Sequence, residues 1–316
     1  MNASSRPVVL IAARLSPYLL GRLQESFTCH NLILDNLSEA QLAAIAPQVR
    51  GIAANGEAKI NREFMARFPA LEIVSVFGVG YDGVDVPAAR ERGIHVTHTP
   101  NVLNDDVADL AIALMLASAR NVVRADHFAR SGQWKNGPFP LTTKVSGARL
   151  GIVGLGRIGE AIARRAAAFD MKISYHNRSP KDVPYTYVGD IKSLAAAVDF
   201  LVMITPGGAG TRALVDAEVL DALGPKGFLI NVARGSVVDQ PALIAALKEG
   251  RIAGAGLDVF ENEPNIPAEL AALENVVLTP HMASGTVVTR TAMADLAFGN
   301  LEAHFGGKPV VTPVPD

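Results

Sequence analysis

The chain has 316 residues, 49% of them apolar and 19% charged, with a formal net charge of −2. That length supports one large or two ordinary domains, each with its own core. The near-neutral balance gives no support for nucleic-acid or acidic-membrane binding, both of which call for a concentrated basic surface.

The single cysteine, Cys29, makes no internal disulfide, and no Cys cluster exists to hold zinc. It reads as a small buried hydrophobe, and no metal is expected. The lack of a disulfide framework fits a reducing cytosol, so a cytoplasmic location is expected. The N-terminal MNASSRPVVLIAARL has a short apolar run without the basic flank or length of a leader peptide. No segment has the length of a membrane span without charges.

Short Val/Ile-rich runs then alternate with Ala/Leu/Arg-rich stretches of helical period, the βαβ alternation of a mostly parallel sheet. Strands are predicted at 8–13, 51–54, 72–77 and 93–98, with helices at 38–49 and 61–68. His98-Thr99-Pro100-Asn101 punctuates the chain. A long helix is expected from 104 to 130, with Asn104 as N-cap and Asp105 and Asp106 in its first turn. Small and apolar residues cover much of its circumference, which predicts burial. Residues 131–147, with three Gly and two Pro, break all periodicity. A second alternating set follows, with strands at 148–155, 172–176, 199–205, 227–233, 255–260 and 275–281. Helices are expected at 160–169 and 241–250, and a last one from 286 to 305. Apolar strands without alternation predict a sheet covered on both faces.

Gly154-Leu155-Gly156-Arg157-Ile158-Gly159 follows a strand directly and opens a helix. The first glycine permits a tight turn, the second a close approach of pyrophosphate, the third close helix–strand packing. The helix start, with Arg157 and Ile158, offers unpaired N–H groups to phosphates. The next strand ends at His176, where a ribose-binding carboxylate belongs in an NAD site. Asn177, Arg178 and Ser179 stand there instead. Asn177 removes the repulsion of a 2′-phosphate, Arg178 pairs with it in forked geometry, and Ser179 adds a hydrogen bond. Lys181 is a further nearby cation. The expected cofactor is therefore NADP(H).

Three motifs follow at strand ends: Asn231-Val232-Ala233-Arg234-Gly235, Asp258-Val259-Phe260-Glu261-Asn262-Glu263-Pro264, and Thr279-Pro280-His281. Doubly wound sheets bind ligands at the carboxyl ends of strands. Singly, Arg234 reads as a surface charge, Glu263 as a turn residue and His281 as a satisfied loop histidine. Together beside a nicotinamide site they suit reduction of a 2-oxo acid. His281 gives a proton to the developing alkoxide, Glu263 fixes its ring, and Arg234 holds the substrate carboxylate.

With Phe77-Gly78-Val79-Gly80-Tyr81-Asp82 and Asn101-Val102-Leu103-Asn104-Asp105-Asp106-Val107-Ala108, these motifs resemble the D-isomer-specific 2-hydroxyacid dehydrogenase family. Within it they look most like NADPH-dependent glyoxylate/hydroxypyruvate reductases and the neighbouring hydroxyphenylpyruvate reductases. The resemblance implies two doubly wound parallel-sheet α/β domains. A Rossmann cofactor domain, residues 100–282, is inserted into a flavodoxin-like substrate domain of residues 1–99 plus 283–316. It also implies Arg234, Glu263 and His281 as the catalytic set, and Val79 and Gly80 as backbone donors to the substrate carboxylate. Asp258 faces the nicotinamide carboxamide, with Thr205 and Ala233 along the cofactor. The long helix joins a homodimer.

Met282 stands where many relatives carry a smaller residue, which bears on pocket size. Trp134 is expected either in a partner's pocket or as a packing anchor. The leading expectation is an oxidoreductase that reduces glyoxylate and hydroxypyruvate. The alternatives are a reductase of larger aromatic 2-oxo acids and a dinucleotide-sensing corepressor-like protein. Phosphoglycerate dehydrogenase is set aside because no regulatory domain follows Asp316, and formate dehydrogenase because Glu263 is the carboxylate of a hydroxyacid enzyme.

Overall fold

The computed structural model describes residues 6–315. The first five residues of the stretch weighed above as a leader lie outside the described residues. The chain divides into two compact units, Met1–Leu103 with Gly285–Asp316, and Asn104–Ser284. Both are parallel sheets covered by helices, the expected α/β class.

In the first unit the strands are β1 (Val8–Ile11), β2 (Thr28–Asn31), β3 (Val49–Asn55), β4 (Ile73–Phe77) and β5 (His95–Thr97). Their order is β2-β1-β3-β4-β5, all parallel. This is the flavodoxin-like doubly wound order. Every residue of β4 is buried. The helix Val287–Phe305, from the far end of the chain, packs on this sheet. Its Ala297 carbonyl accepts a hydrogen bond from Ser75 Oγ at 2.8 Å. Thr286 caps its start by accepting from the Thr289 N–H.

The second unit holds β6 (Arg149–Val153), β7 (Lys172–His176), β8 (Thr186–Tyr187), β9 (Phe200–Met203), β10 (Phe228–Asn231), β11 (Gly254–Leu257) and β12 (Val276–Leu278). They run β12-β11-β10-β9-β6-β7-β8, all parallel. The order reverses between β6 and β9, the switch point at which such sheets open a ligand crevice. All four residues of β9, β10 and β11 are buried, so the unbroken apolar runs did predict a sheet covered on both faces.

Three local expectations need correction. The helix expected from 104 to 130 is two helices, Asn104–Ala119 and Val122–Arg130. Asn121 breaks it in the left-handed region at φ 50°, which Asn tolerates better than most residues. Asn104 is the first helical residue rather than a cap. The first of the two helices is the buried one and the second buries nothing. Leu114 comes so close to the sheet that a Cβ on Gly256 would lie 2.9 Å from its own Cβ. The strands β2 and β8 were not predicted. Both lie at sheet edges, and neither Thr-Cys-His-Asn nor a two-residue Thr-Tyr strand carries an apolar run. Cys29 lies in β2 half-buried, and burial pushes its thiol up to about 11, so it is a poor nucleophile.

Candidate active site

The glycine loop follows β6 directly. Gly154 has φ 101°, and a Cβ there would lie 2.7 Å from the Ile204 carbonyl oxygen. Gly159 sits against the same turn, where a Cβ would lie 2.6 Å from the Gly154 oxygen. A Cβ on Gly156 would meet nothing within 4 Å. Gly156 is the N-cap of the helix Arg157–Ala167 and supplies no side-chain cap. The first-turn N–H groups, those of Arg157 and Ile158 among them, therefore face an open cradle. Thr205 lies just beyond β9, and its Oγ1 is buried without a partner among the described residues. An open cradle, a helix start and an orphaned hydroxyl fit a bound dinucleotide.

At the end of β7 the chain turns through Asn177, Arg178 and Ser179. The Asn177 side chain is turned onto the glycine loop. Its Oδ1 accepts from the Leu155 N–H at 2.6 Å and its Nδ2 donates to the Leu155 carbonyl at 3.3 Å. Lys181 is paired with Glu160 at 2.8 Å. Arg178 and Ser179 are exposed, and neither side chain has a hydrogen bond or ion pair among the described residues.

The other motifs stand at the ends of β10, β11 and β12. Asn231, 1% exposed, staples its own loop. Its Oδ1 accepts from the Ala233 N–H at 3.0 Å and its Nδ2 donates to the Arg234 carbonyl at 2.9 Å. Arg234 is half-buried, and its guanidinium donates to the Ala233 carbonyl at 2.7 Å. Gly235 admits no side chain, since a Cβ would lie 1.9 Å from the Phe260 carbonyl carbon. The Arg234 loop and the Glu263 loop are thus pressed backbone to backbone.

His281 and Glu263 are brought together. His281 Nδ1 lies 2.6 Å from Glu263 Oε2. The other carboxylate oxygen, Oε1, accepts from the Phe260 N–H at 2.9 Å. An Nδ1–H donated to Glu263 leaves Nε2 as the working nitrogen of the ring. His281 is also one of the few non-glycine residues with positive φ, 49°, a conformation held only by its surroundings.

Asp258 supplies much of that holding. It is fully buried. Its Oδ1 accepts from Thr279 Oγ1 at 2.6 Å and the Met282 N–H at 2.9 Å, and its Oδ2 from the Ala283 N–H at 2.9 Å. Burial pushes its carboxyl above the usual range, against the opposing pull of Thr279, the two N–H groups and His281. The Met282 side chain is exposed. The motifs contained Asn231 and Thr279; the Asn231 turn is local, spanning two and three positions, and could have been read from Asn's habit of bonding the backbone two residues on, whereas nothing local signals that Thr279 bonds Asp258.

In the first unit, Val79 and Gly80 follow β4. The Thr99 N–H donates to the Gly78 carbonyl at 2.8 Å, and His98 Nδ1 lies 2.9 Å from the Val79 carbonyl oxygen. The N–H groups of Val79 and Gly80 have no acceptor among the described residues.

Residues 112–283 match the NAD binding domain of the D-isomer specific 2-hydroxyacid dehydrogenases. The chain is 52% identical over 307 residues to hydroxyphenylpyruvate reductase of Plectranthus scutellarioides, covering 97% of this chain and 98% of that one. It is 50% identical, with the same coverage, to glyoxylate/hydroxypyruvate reductase A of Arabidopsis thaliana. Among solved structures it superposes at a TM-score of 0.91 and 49% identity on an NADPH-dependent glyoxylate/hydroxypyruvate reductase from Sinorhizobium meliloti, in complex with NADP and malonate. That match covers 98% of this chain and 97% of the other. With a cofactor cradle at the switch point and a His–Glu pair at the strand ends, this chain belongs to the D-isomer specific 2-hydroxyacid dehydrogenases, an oxidoreductase family with an NAD(P)-binding domain.

Proposed function

We propose that the protein reduces small 2-oxo acids, glyoxylate and hydroxypyruvate, to the D-2-hydroxy acids with NADPH. The observation that carries this reading is the 2.6 Å His281–Glu263 pair, in a unit whose second strand is followed directly by Asn177, Arg178 and Ser179, with no carboxylate at those three positions. Bound NADPH supplies the hydride to the carbonyl carbon. His281 Nε2–H gives a proton to the carbonyl oxygen as charge develops there. Glu263 stabilises the imidazolium and holds the ring so that Nε2 points at substrate. Arg234 takes the substrate carboxylate and polarises the carbonyl. In the first unit, Val79 and Gly80 offer backbone N–H groups of the kind that bind a carboxylate. The cofactor would be held by Gly154, Gly156, Arg157, Ile158 and Gly159 at the pyrophosphate and by Arg178 and Ser179 at the 2′-phosphate, with the Asn177 side chain bonded to Leu155 of the glycine loop. Thr205 and Ala233 would line the nicotinamide end, and Asp258, fully buried, would act there through the His281 turn it holds.

A second reading keeps the mechanism and takes a larger aromatic 2-oxo acid. The 52% identity to a hydroxyphenylpyruvate reductase favours it. Turnover of the purified protein with glyoxylate, hydroxypyruvate and hydroxyphenylpyruvate, each with NADPH, separates the two. The first reading expects the highest kcat/KM with the small acids. A preference for hydroxyphenylpyruvate overturns it in favour of the second, and no turnover with any of the three overturns both.

The same reading includes a homodimer. Val122, Val123, Trp134 and Leu141 are large apolar side chains left exposed between positions 122 and 141, with Leu141 fully so, which supports that reading. Light scattering is expected to give twice the chain mass, and Leu141→Asp to shift it towards the monomer.

A further inference from the structure

The loop that carries Arg178 is tied down by two tyrosines that the reaction itself does not use. Tyr175, on β7, is 1% exposed. Its hydroxyl accepts from the Lys181 N–H at 2.7 Å and donates to the Lys181 carbonyl at 3.2 Å. Both backbone groups of a single residue close on one phenol oxygen. Tyr187, on β8, donates its hydroxyl to the Asn177 carbonyl at 3.2 Å. The two rings pack at 5.5 Å. The loop is thus fastened at Asn177 by one tyrosine and at Lys181 by the other, and the Asn177 side chain fastens it a third time to Leu155. Between the fastened ends stand Arg178, Ser179 and Pro180, all exposed.

Loops that order only on binding lose affinity to the entropy of ordering, and loops fastened in advance do not. Here the fastening is spent on a segment whose two exposed polar side chains are uncommitted, while its other cation, Lys181, is already engaged by Glu160. We propose that Tyr175 and Tyr187 are positioning residues that set the preference for a cofactor bearing a 2′-phosphate, by holding the Arg178–Ser179 segment ready to receive it. This rests on the reading of Arg178 as the phosphate contact. A hydroxyl whose role is only to stabilise the fold would affect all adenine nucleotides alike.

The test is calorimetric titration of the full chain with 2′,5′-ADP and with 5′-AMP, for the wild type, Tyr175→Phe, Tyr187→Phe and the double variant, each checked by thermal unfolding. The phenylalanine keeps the ring and removes only the hydroxyl. Tyr175→Phe is expected to raise the Kd for 2′,5′-ADP about fivefold and the double variant about tenfold, with the Kd for 5′-AMP moving less than about twofold. The NADPH-to-NADH ratio of kcat/KM is expected to fall by similar factors while NADH turnover persists. Unchanged 2′,5′-ADP binding in every variant overturns the proposal, as does an equal loss for both nucleotides. A wild type that binds 2′,5′-ADP no tighter than 5′-AMP overturns the Arg178 reading itself, so the two failures are distinct. Should Tyr175→Phe unfold, Tyr187→Phe decides alone, with an expected rise of about threefold confined to 2′,5′-ADP.

Discussion

Asp258 holds His281 from two sides of the same turn. The His281 N–H donates to the Asp258 carbonyl at 2.8 Å, and the Asp258 carboxylate takes the N–H groups of Met282 and Ala283, the next two residues. The left-handed backbone of His281 is thereby fastened before and behind. Asp258→Asn keeps an oxygen for Thr279 and Met282 but presents an NH2 group to the Ala283 N–H. The variant is expected to lose about ten- to a hundredfold in kcat through misplacement of His281, more than it loses in cofactor affinity. A loss confined to cofactor Kd would count against the positioning role.

The same carboxyl carries a pH dependence of stability. Burial holds its folded-state value above the ordinary one of ~3.9. The folded protein therefore keeps the proton to higher pH than the unfolded chain does. Relative to an untitratable residue, the stabilisation is fully present below the ordinary carboxylate value and is lost as pH rises through the raised one. Unfolding midpoints of wild type and Asp258→Asn, compared from about pH 3.5 to about pH 8, should show the wild type losing ground as pH rises and levelling off above the raised value. A difference that instead grows in favour of the wild type with pH would contradict the assignment.

For the pair proposed as catalytic, His281→Ala should lower kcat about 10²–10⁴-fold with little change in NADPH affinity. Glu263→Gln keeps the shape but loses the charge beneath the ring. Its expected loss in kcat is smaller, about ten- to a hundredfold, because the ring is no longer held by a charged acceptor. Steady-state kinetics of both variants check this, and a Glu263→Gln kcat equal to wild type would remove Glu263 from the mechanism.

At the other end of the cofactor, Arg178→Ala should reduce kcat/KM for NADPH by more than about tenfold, roughly 1.4 kcal/mol, and leave the NADH value less affected. The effect should shrink at high salt, since Arg178 is exposed. Equal losses for the two cofactors would show that Arg178 does not read the phosphate.

Gly235→Ala tests the contact between two motif loops. A methyl group would lie 1.9 Å from the Phe260 carbonyl carbon, and the obstacle is backbone on both sides. The variant should be destabilised by about 3 kcal/mol or more, or fail to fold. A soluble, active variant with an unchanged unfolding midpoint would show that the two loops are not pressed together.

Much of the fold was legible because buried parallel strands leave an unmistakable trace. Phe200–Met203 and Phe228–Asn231 are runs that no exposed element would carry. The glycine loop was equally legible, since Gly154 and Gly159 each sit where a Cβ would meet backbone, and Gly156 leaves the helix start open. The break at Asn121 was not, because the small and apolar residues continue past it and a single left-handed residue is enough to turn a helix. The edge strands β2 and β8 were missed because Thr-Cys-His-Asn and Thr-Tyr carry no apolar run, unlike the edge strand Val276–Leu278.

By itself the sequence determined most of the order of elements, the glycine loop and the residue types at each strand end, because periodicity and steric demand are local properties. Which partner each side chain takes was decided only in three dimensions. Glu263 meets His281 across eighteen positions of chain, Asp258 meets Thr279 across twenty-one, and Asn177 turns back to Leu155 across twenty-two. A hydrogen bond depends on distances of a few tenths of an ångström and on donor direction, and these are set by how the strands register and the loops close.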